Sequence, residues 1–156
     1  MSVNLLEDTF RLSIEFHTAD TVIAEITDTC QEAKINDIIT KGCLYVKEFE
    51  SDELIEILRM REESGTNVSI TDCSVWYYAK QLGCRLLTGD KKLKRCATED
   101  GVMVSGILYI TDMLVEENIV TKDTMADKLE SLLIQNKRLP KKEIEKRIKS
   151  YRAEND

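Results

Sequence analysis

The sequence predicts an α/β fold in which helices pack on both faces of a parallel sheet. Short apolar runs of strand length alternate along the chain with amphipathic runs of helix length, the pattern of strands joined by crossover helices. The chain has 156 residues, enough to bury a core without disulfides. We expect one α/β domain over residues 1–120, with a C-terminal helical extension over 121–156 packed on the same domain.

The predicted elements follow one another with short connections. In chain order they are a helix at 3–12, a strand at 15–18, a helix at 20–34, a strand at 44–49, a helix at 51–65, a helix from Asp72 that stops at Gly83, a strand at 84–88, a helix at 91–100 closed by Gly101, a strand at 102–105, and helices at 107–120, 122–136 and 140–152. Thr18 or Asp20 is the predicted cap of the second helix, and Ser51 that of the third. Pro140 separates the last two helices, which form a hairpin.

Composition excludes several classes of protein. The first residues, MSVNLLEDTFRL, contain acids and no basic segment, so they do not predict a signal peptide. No apolar run approaches the length of a membrane span. The five cysteines are widely spaced and include no CxxC pair, which favours free thiols over a zinc site. We therefore expect a soluble cytoplasmic protein with no membrane partner.

The net charge of −7 is unevenly distributed along the chain. Residues 1–70 carry 15 acids and 6 bases, a balance of −9, whereas residues 71–156 carry 14 acids and 16 bases, a balance of +2. One group of bases is Lys91, Lys92, Lys94 and Arg95. Such a group suits a phosphate backbone, although composition alone favours a solvated helix face.

Two aspartates are predicted to face the same crevice. Asp72 stands at the start of a helix, and Asp90 follows the strand that comes next. In an open α/β sheet, strand ends and the adjacent helix starts line one edge, where ligands bind. Alone, each residue has an ordinary explanation, helix capping for Asp72 and turn formation for Asp90. As a pair they predict a site for Mg²⁺ or Mn²⁺, which prefer hard oxygen ligands.

Two further side chains are candidates for this crevice. Glu25 lies on the helix after the first strand, which also starts at the carboxyl edge of the sheet. Thr88 could orient a carboxylate or a metal-bound water, although threonine is common in strands for packing alone. Other catalytic patterns are absent: the sequence has no Gly-rich phosphate loop and no GxSxG elbow, and its one histidine, His17, is expected to be structural.

These segments resemble a PIN domain, and most closely the PIN-like branch of unknown function among bacterial and archaeal toxin–antitoxin nucleases. The resemblance rests on HTADTVIAEI, SITDCSVWYYAKQLGCRLLTGDKKLKRCA, GVMVSGILYITDMLVEENIV and LESLLIQNKRLPKKEIEKRI, in that order and spacing. It extends from about Leu5 to Tyr151. It implies a three-layer sandwich and a Mg²⁺- or Mn²⁺-dependent endoribonuclease of the toxin type, held inactive by an antitoxin protein and commonly a homodimer.

The resemblance also assigns roles to particular residues. Glu25 is the family's second acid, Asp72 its third and Asp90 its fourth, with Thr88 as the accompanying hydroxyl. The substrate it implies is RNA.

One part of the family pattern has no counterpart in these 156 residues. The family's first acid ends an apolar strand that would precede Leu5, and that strand is expected to lie centrally, between the strands at 15–18 and 84–88. We interpret this as a start codon assigned too far downstream, the alternative being a truncated product. With three acids instead of four, cleavage is expected to be weak or absent.

Two other readings of the sequence remain. A catalytically inactive PIN-like module that binds protein or RNA would also fit the missing acid, and the acidic first half would suit a basic partner. A phospho-acceptor domain also clusters aspartates, but it needs an acceptor at the end of a central strand and a lysine at a later strand end, and neither is clear here.

Overall fold

The computed structural model describes residues 5–153 and shows an α/β protein with short parallel strands. In chain order its elements are α1 (Leu5–Thr9), β1 (Phe16–Ala19), α2 (Asp20–Ala24), α3 (Thr29–Thr40), β2 (Leu44–Lys47), α4 (Ser51–Glu63), α5 (Ile70–Leu82), β3 (Leu86–Leu87), α6 (Lys91–Glu99), β4 (Val104–Ser105), α7 (Ile107–Glu116), α8 (Lys122–Gln135) and α9 (Lys141–Ala153). The predicted fold class is confirmed. The first two residues of the predicted helix at 3–12 lie outside the described part.

The strands form two separate parallel sheets. Strand β1 pairs with β2, and β3 pairs with β4. Helix α5 contacts β1 of one sheet and β3 of the other, although these two strands are not hydrogen-bonded to each other. The central strand predicted between β1 and β3 stays a prediction.

The predicted single helix at 20–34 is wrong. The structure has two helices there, α2 and α3, because Asp28 caps a new helix by accepting a hydrogen bond of 2.8 Å from the Gln31 amide. The predicted caps Thr18 and Asp20 are also wrong, since α2 begins directly after β1 with Ala19 at its N-cap and no side-chain cap bond.

The predicted cap of α4 is wrong by one residue. Glu50 is the N-cap, and it forms a capping box in which the Glu53 carboxylate accepts a 2.9 Å hydrogen bond from the Glu50 amide. The predicted ends of two other helices are confirmed. Gly83 closes α5 and Gly101 follows α6. Their φ angles are 63° and 84°, a backbone conformation that is strained for residues with a side chain.

The chain separates into two compact units. One spans residues 14–106 and contains both sheets with α2 to α6. Its core includes Ile57 of α4, Cys73 and Trp76 of α5, and Leu93 and Cys96 of α6. All of the elements that carry the predicted acids belong to this unit.

The second unit comprises α1 and the helices α7, α8 and α9. Leu114, Met125, Leu129 and Ile144 are fully buried within it. The predicted helical hairpin at the C-terminus is present as α8 and α9, with Pro140 just before α9. The predicted domain division at residue 120 stays a prediction. Within residues 5–153, every helix is too short or too polar to cross a membrane.

Leu93 tests the core beside Asp90, whose side chain accepts a hydrogen bond from the Leu93 amide. The Leu93 side chain is 1% exposed, whereas Leu82 of α5 is 45% exposed. We expect Leu93→Ala to lower the free energy of unfolding by about 2–5 kcal/mol, because the mutation leaves a cavity in a packed core. The matched variant Leu82→Ala should cost much less. Urea unfolding followed by circular dichroism measures both, and equal losses would contradict this description of the core.

Candidate functional site

Asp72 is presented by the first turn of α5. Ser69 is the N-cap of this helix, and its hydroxyl accepts a 3.0 Å hydrogen bond from the Asp72 amide. The Asp72 side chain is half-buried, and among residues 5–153 no side chain forms an ion pair or hydrogen bond with its carboxylate. The positive end of the α5 dipole stabilises its negative charge. Because the carboxylate has no partner, both of its oxygens are available to a ligand.

Asp90 is presented by the start of α6. It is the N-cap of this helix, and its Oδ1 accepts a 2.8 Å hydrogen bond from the Leu93 amide. The Asp90 amide in turn donates a 3.0 Å hydrogen bond to the Thr88 hydroxyl. Thr88 therefore shapes the turn that carries Asp90. One carboxylate oxygen of Asp90 is engaged in capping, and the other has no partner within the described chain.

Asp100 joins the end of α6 to α5. Asp100, just beyond α6, accepts hydrogen bonds of 3.0 Å from the Trp76 indole at the middle of α5 and 2.8 Å from the Lys80 amine near its end. The end of α6 is therefore beside the middle and later part of α5. Because β3 follows α5 and precedes α6, we expect both helices to start toward the carboxyl ends of the strands, and a shared position for Asp72 and Asp90 stays a prediction.

Glu25 is the C-cap of α2 and is exposed. Helix α2 packs on α5, where the hydroxyls of Thr21 and Ser74 form a 2.8 Å hydrogen bond. Ser74 is almost completely buried and also donates to the Thr71 carbonyl oxygen at 2.7 Å. This bond fixes α2 beside the first half of α5. Sequence reasoning missed Thr21 and Ser74, because buried hydroxyls give no signal that distinguishes them from exposed ones.

The chemistry of the candidate ligands fits Mg²⁺ or Mn²⁺. Glu25, Asp72 and Asp90 are hard oxygen donors, and within the described chain no Lys, Arg or His side chain neutralises them. Among residues 5–153, however, no three His, Cys, Asp or Glu side chains come together in a set that could hold a metal ion. The three-carboxylate ligand set, and its place at one edge of the sheets, therefore stay predictions.

Cys73 adjoins Asp72 but is unsuited to nucleophilic chemistry. It is fully buried in the core, and burial, followed by the negative charge of Asp72, raises the pKa of its thiol to about 11. A thiol with that pKa is protonated at neutral pH and therefore unreactive.

A basic surface follows Asp90 along α6. Leu93, Cys96 and Ala97 are the buried residues of this helix. Its four predicted nucleic-acid-binding residues are all exposed: Lys91, Lys92, Lys94 and Arg95. None of them forms an ion pair within the described chain, so their charges are available to an anionic ligand.

The aromatic residues of α5 pack within the unit. Trp76 is buried, and the Tyr78 hydroxyl lies 2.9 Å from His17 Nδ1. The His17 ring stacks on Tyr45, with ring centroids 4.8 Å apart. These contacts agree with the expectation that His17 is structural. Sequence reasoning missed Asp100. Its position after α6 does not indicate that it accepts hydrogen bonds from Trp76 and Lys80 of α5.

Thiol reactivity tests the burial beside Asp72. Cys30, Cys43 and Cys84 are exposed, whereas Cys73 and Cys96 are buried, and all five are free. At mildly alkaline pH we expect the exposed cysteines to react rapidly with a thiol reagent and the buried pair to react only after unfolding. Mass spectrometry of peptides from the native protein identifies the modified positions. Rapid labelling of Cys73 would contradict its buried position under the first turn of α5.

Comparison with known families agrees with the fold. A family model described as a PIN domain matches residues 1–153, nearly the whole chain. A search of curated proteins finds no match to this chain. The chain therefore belongs to the PIN-domain family, which is part of a nuclease superfamily.

Proposed function

We propose that this protein is a metal-dependent endoribonuclease and the toxin of a toxin–antitoxin pair, with weak cleavage by residues 1–156. PIN domains are generally dependent on divalent metals. The observation that carries the proposal is the arrangement of α5 and α6. Asp72 lies in the first turn of α5 and Asp90 is the N-cap of α6, and neither carboxylate has a cationic partner in the described chain.

The proposed division of roles follows from the position of each residue. Asp72 and Asp90 would hold Mg²⁺ or Mn²⁺, with Glu25 as a third acid. When bound, such a metal lowers the pKa of a water molecule and stabilises charge on a phosphate. Thr88 keeps Asp90 in place through the bond between its hydroxyl and the Asp90 amide.

The basic surface of α6 supports RNA as the substrate. Four exposed cations follow Asp90 directly along the helix, and cations of this kind bind a phosphate backbone and release its counterions. A phosphodiester held on α6 would lie beside the carboxylate that begins the helix. The antitoxin, the homodimer and the cytoplasmic location belong to the same proposal, through the resemblance to toxin nucleases.

Weak cleavage is proposed because the resemblance assigns only three acids. A site with one carboxylate fewer would hold the metal less firmly and position it less well. Residues 1–156 preceded by an apolar strand that ends in aspartate should therefore cleave RNA faster than residues 1–156 alone. The same extension carrying Asp72→Asn should restore the slow rate.

A second candidate function is a non-catalytic module that binds a protein or RNA. It is favoured by one observation, the absence among residues 5–153 of three side chains placed to hold a metal. The acidic balance of residues 1–70 would suit a basic partner. Metal binding separates the two functions, because the module needs none.

A Mn²⁺ titration by calorimetry tests the proposed site. We expect Asp72→Asn and Asp90→Asn each to weaken Mn²⁺ binding by about tenfold or more, because each removes a charged ligand. Asparagine retains the capping function of Asp90, so α6 should remain folded. Glu99→Gln is the matched control: it removes one exposed charge from the other end of α6 and should leave Mn²⁺ binding unchanged.

Two results would count against the nuclease. If millimolar Mn²⁺ does not bind the unmodified chain, the non-catalytic module is favoured. If the Asp72 and Asp90 variants bind metal and degrade RNA as the unmodified chain does, the assigned site is wrong.

A further inference from the structure

The hairpin of α8 and α9 carries an open groove with a volume of about 1140 Å³. Its apolar lining is formed by Leu133, Ile134, Leu139 and Ile148. Ile134 is 81% exposed, the largest exposed fraction of any large apolar side chain described. Such a side chain would be stabilised by burial against another apolar surface.

The groove has a basic character. Residues 137–152 contain eight bases and two acids, a balance of +6. Lys141 is paired with Glu145 at 3.7 Å. Lys137 and Lys149 also line the groove, and within residues 5–153 neither forms an ion pair. An apolar partner with acidic residues around it would therefore complement this groove.

Helix α4 presents a surface with those properties. Leu54, Ile55 and Leu58 are 42%, 58% and 45% exposed, and their spacing places them along one side of the helix. Residues 48–63 contain seven acids and two bases, a balance of −5. Glu62 and Glu63, near the end of α4, form no ion pair with the rest of the described chain.

We propose that the exposed α4 surface of one copy docks in the α8–α9 groove of a second copy. The apolar side chains on α4 would cover Ile134 and its neighbours, and the acids of α4 would meet the unpaired lysines of the groove. Every copy carries both surfaces, so each copy offers a groove to the α4 surface of another copy. This inference deepens the proposed homodimer and does not depend on catalysis, because no candidate acid takes part.

Sedimentation velocity over a range of protein concentrations tests the apolar part of the contact. We expect Ile134→Ser and Ile55→Ser each to raise the dimer dissociation constant by about tenfold. The control is Met103→Ser, which alters a side chain that is 59% exposed but lies outside both surfaces; it should associate as the unmodified chain does. Circular dichroism should show that all three variants are folded, since the replaced side chains are exposed.

Charge exchange tests the pairing of the two surfaces. The groove variant carries Lys137→Glu and Lys149→Glu, and the α4 variant carries Glu62→Lys and Glu63→Lys. Each variant alone should dimerise less than the unmodified chain, and an equimolar mixture should recover dimers, because each reversed surface meets its complement. A chain that is monomeric at every concentration, an Ile134 or Ile55 variant that associates normally, or a mixture without recovery would overturn the proposal.

Discussion

The structure of the sheet-containing unit depends on the burial of α5. This helix contacts β1, β3, α2, α4 and α6. Strand pairing, by contrast, joins only two strands in each sheet. Cys73, Trp76 and Ala79 are its buried apolar side chains. Since β1 and β3 do not pair with each other, packing on α5 is the constraint that they share.

The same packing determines where the acids can act. Asp72 precedes the buried Cys73, so its position at the helix start is fixed by the core beneath it. Asp90 caps a helix whose other end is bound to α5 through Asp100. The two acids differ in one respect: Asp90 already uses an oxygen to cap α6, whereas Asp72 has no partner in the described chain. Asp72 is therefore the more available ligand, and Asp90 would have to share its carboxylate between helix and metal in the proposed site.

Patterns that depend on neighbouring residues were predictable from the sequence. Neighbouring residues determine the start of α5 and its end at Gly83. A polar cap is followed by an apolar run and then by a residue that tolerates a positive φ. The break between α2 and α3 was missed. The sequence predicts Asp28 inside one long helix, whereas in the structure its side chain caps α3. The Glu50 cap was missed because serine has the higher preference for the N-cap position. In the structure Glu50 takes that position, and Glu53 completes a capping box with it.

Features that depend on tertiary packing were not predictable. The sequence does not reveal that Asp100 joins α6 to α5, or that Thr21 meets Ser74, since both contacts join residues distant in the chain. The separation of the strands into two sheets also depends on long-range pairing. The pattern of helix starts and strand ends made Asp72 and Asp90 candidates, but their roles as family acids came from the resemblance, because helix starts with aspartate are common for capping alone.

The central claim is that Glu25, Asp72 and Asp90 share one divalent-metal site. Paramagnetic broadening by Mn²⁺ in an amide correlation spectrum tests it most directly, because broadening depends on the distance of each amide from the bound ion. We predict that substoichiometric Mn²⁺ broadens the signals of these three residues first, while Asp100 at the other end of α6 stays sharp. Broadening at Asp100 before Asp72 and Asp90, or none at either acid, would contradict the claim.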